Sequence, residues 1–86
     1  MPQISKFFGI IICMYYDDHN PPHFHAFYGD YSAIINIYDY SVMEGKLPGR
    51  ALGLVVEWAS IHSQELLINW DRAINGIQLL KIDPLE

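Results

Sequence analysis

The pattern of apolar and polar residues predicts a small antiparallel sheet in the first half of the chain. Residues 7–16 are apolar on both alternating faces and rich in β-branched and aromatic side chains, which predicts one central strand covered on both sides. Two alternating runs follow, residues 23–28 and 31–38, and the pair Gly29-Asp30 between them is typical of a tight β-hairpin turn.

The hairpin turn fixes which residues pair and which face of the sheet each occupies. It pairs Tyr28 with Tyr31 and His25 with Ile34. Because side chains alternate along a strand, both strand histidines are expected on the same, more polar face. The predicted core face carries Phe24, Ala26, Tyr28, Tyr31, Ala33, Ile35 and Ile37, and the polar face carries His23, His25, Phe27, Ser32, Ile34, Asn36 and Tyr38.

The second half of the chain predicts a loop over residues 40–47 and then a single long helix. Pro48 suits the first helical position, and Asn75-Gly76 is a typical helix stop with a left-handed glycine cap. The tail, residues 77–82, is expected to add a short edge strand. The fold class is therefore α+β, an antiparallel meander of three to four strands packed on one face by a single long helix. The helix stripe expected to face the sheet is Leu52, Val55, Val56, Ala59, Leu66, Trp70, Ala73 and Ile74.

A second apolar set lies on the opposite side of the predicted helix. Leu54, Trp58 and Ile61 follow i, i+4, i+7 spacing and form a ridge, with Ile68 further along. Either the tail or an N-terminal segment covers this ridge, or the ridge is an interface with a second copy or a partner. The sequence favours the interface, as in a homodimer, because so short a chain has little left to cover a tryptophan.

Composition narrows the class of protein. The 86 residues form one domain, residues 1–86, and 51% of them are hydrophobic. The net charge is −5 and the five Lys and Arg residues are scattered, so nucleic acid is not favoured as a partner.

Cys13 is the single cysteine, predicted to be buried, which favours a reducing cytoplasmic location. The ten-residue apolar run is too short to cross a bilayer, so no membrane association is expected.

Three segments resemble a small prokaryotic family, the domain-of-unknown-function 4160 family. They are residues 2–9, residues 14–26, which include Asp-His-Asn-Pro-Pro-His-Phe-His-Ala, and the Glu-Gly-Lys-Leu-Pro-x-Arg segment at residues 44–50 with Glu57-Trp58-Ala59 beyond it. Members of that family often resemble one half of a toxin–antitoxin-like two-gene cassette. The resemblance therefore implies an interaction component whose partner is the product of a neighbouring gene.

Three of the four histidines lie within seven positions, which makes this segment the candidate site. His23 and His25 project side by side from a strand, His19 is positioned to fold over as a third ligand, and Asp18 offers a carboxylate. Three nitrogens with an open position would make a catalytic-type site for a divalent metal such as zinc.

Two other interpretations of the histidine cluster stay open. The histidines are candidate general acids and bases, with Arg50 or Lys46 as the cation for a phosphate, in a histidine- or metal-dependent hydrolase of the RNase type. Alternatively, the cluster is a hydrogen-bonded surface patch suited to protein contacts. From the sequence, the interaction component is the first hypothesis for function and the hydrolase is the second.

Overall fold

The structure is a computed structural model that describes residues 2–86. Five antiparallel strands form a meander in which each strand pairs with the next, and two helices follow. The α+β class and the antiparallel meander are thus confirmed. The elements are β1 (Gln3–Phe7), β2 (Ile10–Cys13), β3 (His23–Tyr28), β4 (Tyr31–Asn36), β5 (Val42–Lys46), α1 (Gly49–Ile61) and α2 (Ser63–Ile74).

The sheet has more strands than the three to four predicted, for two reasons. The apolar run at residues 7–16 contains a turn at Phe8-Gly9, where both residues take positive φ, so β1 and β2 form a hairpin where a single strand was expected. The predicted loop at 40–47 contains β5, an exposed edge strand whose polar composition obscures the alternation. The tail adds no strand, and the Ile82 amide makes a single backbone hydrogen bond to the Ile4 carbonyl, 2.8 Å.

The predicted hairpin register is confirmed throughout. Tyr28 pairs with Tyr31, and His25 pairs with Ile34. The five inner residues of the predicted core face are buried, whereas the two tyrosines beside the turn are 38% and 42% exposed. Across the other neighbour, Cys13 of β2 pairs with His25.

The single long helix of the prediction is two helices that meet at His62. This residue has φ −111° and ψ 25°, outside helical geometry. Its Nδ1 lies 2.6 Å from Oε1 of Glu65, the third residue of α2. Neither proline nor glycine marks this break in the sequence.

The predicted interface ridge is wrong in its central residue. Trp58 is 0% exposed and packs against Phe7 and Phe24, with ring centroids 5.3 and 5.8 Å apart. Its indole N–H donates to the Asp83 carbonyl at 2.8 Å, so the chain's own tail covers it. Leu54 is half-buried and Ile61 is 62% exposed, so no continuous ridge exists.

The C-terminal tail is held against the helices by side-chain hydrogen bonds. Asn69, 1% exposed, donates to the Leu80 carbonyl at 2.8 Å and accepts from the Leu80 amide at 2.9 Å. Arg72 Nε donates to the Gln78 carbonyl at 2.6 Å.

Ile74, which the sequence assigns to the helix stripe facing the sheet, is 55% exposed because it lies in the last turn of α2. None of the helices within residues 2–86 is long and apolar enough to cross a membrane.

Candidate metal centre

The candidate site is formed where the loop after β2 returns to the start of β3. His23 and His25 are the first and third residues of β3 and therefore share one face of the sheet. Asp18 lies in the connecting loop, which reaches β3 through a cis Asn20–Pro21 bond and a second proline. The loop brings the Asp18 carboxylate over the two imidazole rings.

The three side chains converge on one small volume. Oδ2 of Asp18 lies 3.1 Å from Nε2 of His23 and 3.1 Å from Nε2 of His25. One ligand atom from each residue lies within 4.8 Å of the others. The side chains of His23, His25 and Asp18 are 9%, 19% and 22% exposed, so the cluster is largely shielded but open on one side.

The hydrogen bonding of His23 decides its protonation pattern. Nδ1 of His23 lies 2.8 Å from the Pro21 carbonyl oxygen, and a carbonyl only accepts, so Nδ1 carries a proton. A neutral His23 then presents a bare Nε2 lone pair to the Asp18 carboxylate at 3.1 Å. Two acceptors at that distance repel, and a cation between them would relieve this repulsion.

Aromatic neighbours fix the orientation of both imidazole rings. The ring of Tyr15 meets His25 edge-on, with centroids 4.6 Å apart, and Phe27 stacks on the other side at 6.4 Å and 12°. The ring of Trp70, from α2, lies 5.1 Å from that of His23. Hydrophobic periodicity places Trp70 in the core but contains no signal for contact with the histidines. Tyr15 likewise precedes the cluster in the sequence without a recognisable pattern.

A cleft of about 360 Å³ opens beside His25 on the same face of the sheet. Its walls combine apolar side chains with a carboxylate, and it extends across three strands. The lining residues are His25, Phe27, Ser32, Ala33, Ile34, Glu44 and Gly45.

Two of the predicted site residues lie apart from the cluster. His19 is exposed and outside the group of converging ligands, because it projects away from the loop that turns Asp18 inward. Arg50 lines a separate cavity of about 140 Å³ with Phe8 and Tyr28, beside the turn of the β3–β4 hairpin. Of the residues predicted to be catalytic, the structure brings His23 and His25 together with Asp18, and it places His19 and Arg50 outside this cluster.

Cys13 pairs with His25 across the sheet but is 0% exposed, which confirms its predicted burial. Burial raises the pKa of the Cys13 thiol, and burial also raises the pKa of the neighbouring Tyr15 hydroxyl. Both groups therefore stay protonated at neutral pH, and a protonated thiol is a poor metal ligand.

The fold and the cluster define an α+β domain with two histidines and a carboxylate converging on one sheet face. The sequence profile of a family described as domain of unknown function (DUF4160) matches residues 9–71, which include Asp18, His23, His25 and Glu44. The chain belongs to this family. No curated protein and no solved structure matches the chain.

Proposed function

We propose that the domain binds a divalent metal ion through Asp18, His23 and His25 and uses it to hydrolyse a substrate in the adjoining cleft. The observation that carries the proposal is the convergence of three ligand atoms within 4.8 Å of one another. This set of two imidazoles and one carboxylate matches the three-ligand composition of catalytic zinc sites, which keep a further position open.

The distances within the cluster suit a shared ion. Ligand atoms bound about 2.1 Å from one metal are about 3.0 to 3.4 Å apart in octahedral or tetrahedral geometry. Both Nε2 to Oδ2 distances are 3.1 Å. These two pairs therefore suit a shared ion, which would remove the repulsion between the carboxylate and the bare Nε2 of His23, and the histidine ligand atoms lie within 4.8 Å of each other.

The surroundings of the ligands also favour metal binding. Metal-binding histidines usually donate their other ring N–H to a carbonyl or a carboxylate, which fixes the tautomer. His23 has this arrangement, since its Nδ1 donates to the Pro21 carbonyl at 2.8 Å. The bond leaves Nε2 of His23 as the metal-binding atom.

Hydrolysis is the chemistry that the open side of the cluster favours. A metal with three protein ligands has a free position for water, and it lowers the pKa of that water toward neutrality. The cleft next to His25 supplies a place for substrate beside that position.

A zinc-binding titration with one isosteric substitution tests the proposal. We expect one zinc ion per chain by calorimetry on chelator-treated protein, with Co²⁺, Mn²⁺ and Fe²⁺ as further probes. In Asp18→Asn the amide donates to the bare Nε2 of His23, so the fold keeps its shape while a charged ligand is lost. The affinity for zinc should fall by 10-fold or more, an order of magnitude typical of losing a carboxylate in the site.

Asp17→Asn is the matched control, because Asp17 is the exposed neighbour outside the converging group. It should bind zinc like the wild type. Absence of zinc binding to the wild type, or equal losses in both variants, would contradict the metal centre.

We also propose that the domain acts in the cytoplasm as the interaction component of a toxin–antitoxin-like two-gene cassette. The family resemblance suggests the cassette, and the edge strand β5 supports protein contact. All five residues of β5 are exposed, and Val42 and Met43 are 39% and 42% exposed. An open edge strand is a site at which a partner can add a strand.

Co-purification with the product of the neighbouring gene tests this second proposal. We expect a stable complex that Val42→Glu weakens, because the new charge lies on the contacted edge. Glu57→Gln, on the exposed side of α1, is the control and should leave the complex intact. A complex indifferent to Val42→Glu would exclude the β5 edge, and lack of any complex would exclude the cassette partnership.

A further inference from the structure

One acidic residue outside the cluster shares its face of the sheet. Glu44 of β5 pairs with Ile34 of β4, which in turn pairs with His25 of β3. Paired residues of an antiparallel sheet point to the same side, so Glu44 and His25 lie in one row across three strands. At about 4.8 Å between strands, their Cα atoms are about 10 Å apart, with the cleft between the two side chains.

The sheet is irregular at this position in a way that orients Glu44. The register of β4 and β5 shifts between Ile34 and Ile35, so Met43 is an extra residue beside Glu44. On the other side, Gly45 has φ +77°, and a side chain there would overlap the Ser32 carbonyl. Such bulges redirect neighbouring side chains and are common beside active sites.

Glu44 has a free carboxylate. Within residues 2–86 its side chain forms no hydrogen bond and no ion pair. A lining carboxylate without a structural partner is available to accept a proton from a molecule in the cleft.

We propose that the cleft binds an uncharged ester or amide and that Glu44 is the general base of its hydrolysis. This inference rests on the proposed metal centre. Phe27 and Ile34 form the apolar part of the wall, which suits the hydrocarbon or aromatic portion of an acyl compound. With His25 at one end and Glu44 at the other, a bound metal would polarise the carbonyl oxygen from one side, while Glu44 would activate a separate water on the other side.

The charges of the cleft favour an acyl substrate over a phosphodiester. Phosphoryl transfer usually employs Arg or Lys clamps on the phosphate oxygens. Arg50 lies in the separate cavity beside Tyr28. Lys46 pairs with the cleft residue Ser32, but neither Lys46 nor any other Lys or Arg is among the residues that line the cleft. Glu44 would repel a phosphate anion but not a neutral carbonyl.

The proposed step is an ordinary hydrolysis and balances without a co-reactant. A water oxygen attacks the carbonyl carbon while Glu44 takes one of the water protons. The bond from the carbonyl carbon to the alcohol oxygen or amine nitrogen then breaks, and Glu44 returns the proton to that leaving group. The products are a carboxylic acid and an alcohol or amine.

Two chromogenic probes distinguish the substrate classes. Zinc-loaded wild type should hydrolyse p-nitrophenyl acetate above the rate of chelator-treated protein and should leave bis(p-nitrophenyl) phosphate uncleaved. Glu44→Gln should lower kcat by about 10²- to 10⁴-fold. Glu44→Asp should recover part of the rate, and both variants should bind zinc like the wild type. Glu57→Gln is the control, expected to keep full activity.

The other outcomes separate this inference from the proposed metal centre. Lack of zinc binding would overturn the metal centre itself. Zinc binding with cleavage of the phosphodiester alone, or of neither probe, would overturn the acyl assignment and leave the metal site standing. Ester hydrolysis that is unchanged in Glu44→Gln would overturn the role of Glu44.

Discussion

The two faces of the sheet carry side chains of different character on the same strands. On one face of β3, Phe24 and Ala26 are completely buried beneath the helices. On the other face, His25 and Phe27 are only half-buried, and they border a cleft that no helix covers. Hydrophobic burial explains the first face, since it is the dominant favourable term in folding. It does not explain the second, where two histidines and a carboxylate share one volume.

Under the proposed metal site, stability and metal binding depend on separate faces of the sheet. Substitutions on the helix-covered face should change the free energy of unfolding, while substitutions at the cluster should change metal affinity. His23 is the residue where the two roles meet, because it is 7% exposed and packs against Trp70 while its Nε2 points to Asp18. Substitutions of residues that lie clearly on one face therefore separate effects on stability from effects on metal affinity.

The largest effect is expected for Trp58→Ala on the covered face. The substitution leaves a cavity next to Phe7 and Phe24 and removes the hydrogen bond to Asp83. We expect the free energy of unfolding to fall by about 3 to 5 kcal/mol, measured by urea denaturation. Tyr38→Ala, at a side chain that is 66% exposed, should change it little. A stable Trp58→Ala protein would show that the tail does not cover this residue in solution.

The second effect is stabilisation by zinc, which depends on the open face. At a free zinc concentration 100 times Kd, the free energy of unfolding should rise by about 2.7 kcal/mol, visible as a higher Tm. His25→Ala should abolish the rise, because Nε2 of His25 is one of the converging ligand atoms. His19→Ala is the matched control from the same segment and should keep it, since His19 lies outside the group. Equal loss in both variants would restore His19 as a ligand.

The third effect compares two glycines and should have opposite signs. Gly45→Ala should destabilise the protein by about 2 kcal/mol, because residue 45 has φ +77° and meets the Ser32 carbonyl. Gly53→Ala, in α1 with no atom near its missing Cβ, should stabilise it by about 0.5 to 1 kcal/mol. Urea denaturation of both variants checks the signs. A neutral Gly45→Ala would mean that β5 does not pair tightly with β4.

Local patterns in the sequence predict the hairpin and its register because one turn sets both. The Gly29-Asp30 turn and strict alternation place His23 and His25 on one face, as the structure confirms. They do not reveal β5, whose polar residues lie on an exposed edge, or the break at His62, which neither proline nor glycine marks. Long-range contacts are beyond such patterns.

The sequence likewise predicts part of the candidate site and not the whole of it. Strand periodicity identifies His23 and His25, and proximity in the sequence suggests Asp18. The choice of Asp18 over His19 depends on how the connecting loop folds, and Glu44 joins the cleft only through the pairing of β4 with β5. The predicted exposure of Trp58 is wrong because the C-terminal tail covers this residue. The tail has ten residues, is held by Asn69 and its neighbours, and covers more apolar surface than its composition suggests.

The smallest effect is expected at Ile61, the exposed end of the predicted ridge. Ile61 is 62% exposed, and isoleucine and serine have similar helix propensities, so Ile61→Ser should change the free energy of unfolding by less than about 0.5 kcal/mol. With Trp58 buried, Ile61 lacks the aromatic neighbour that would anchor an interface. Light scattering at high concentration should therefore give the same mass for Ile61→Ser and wild type. A wild-type dimer that Ile61→Ser dissociates would show that this side of α1 is an interface even without an exposed tryptophan.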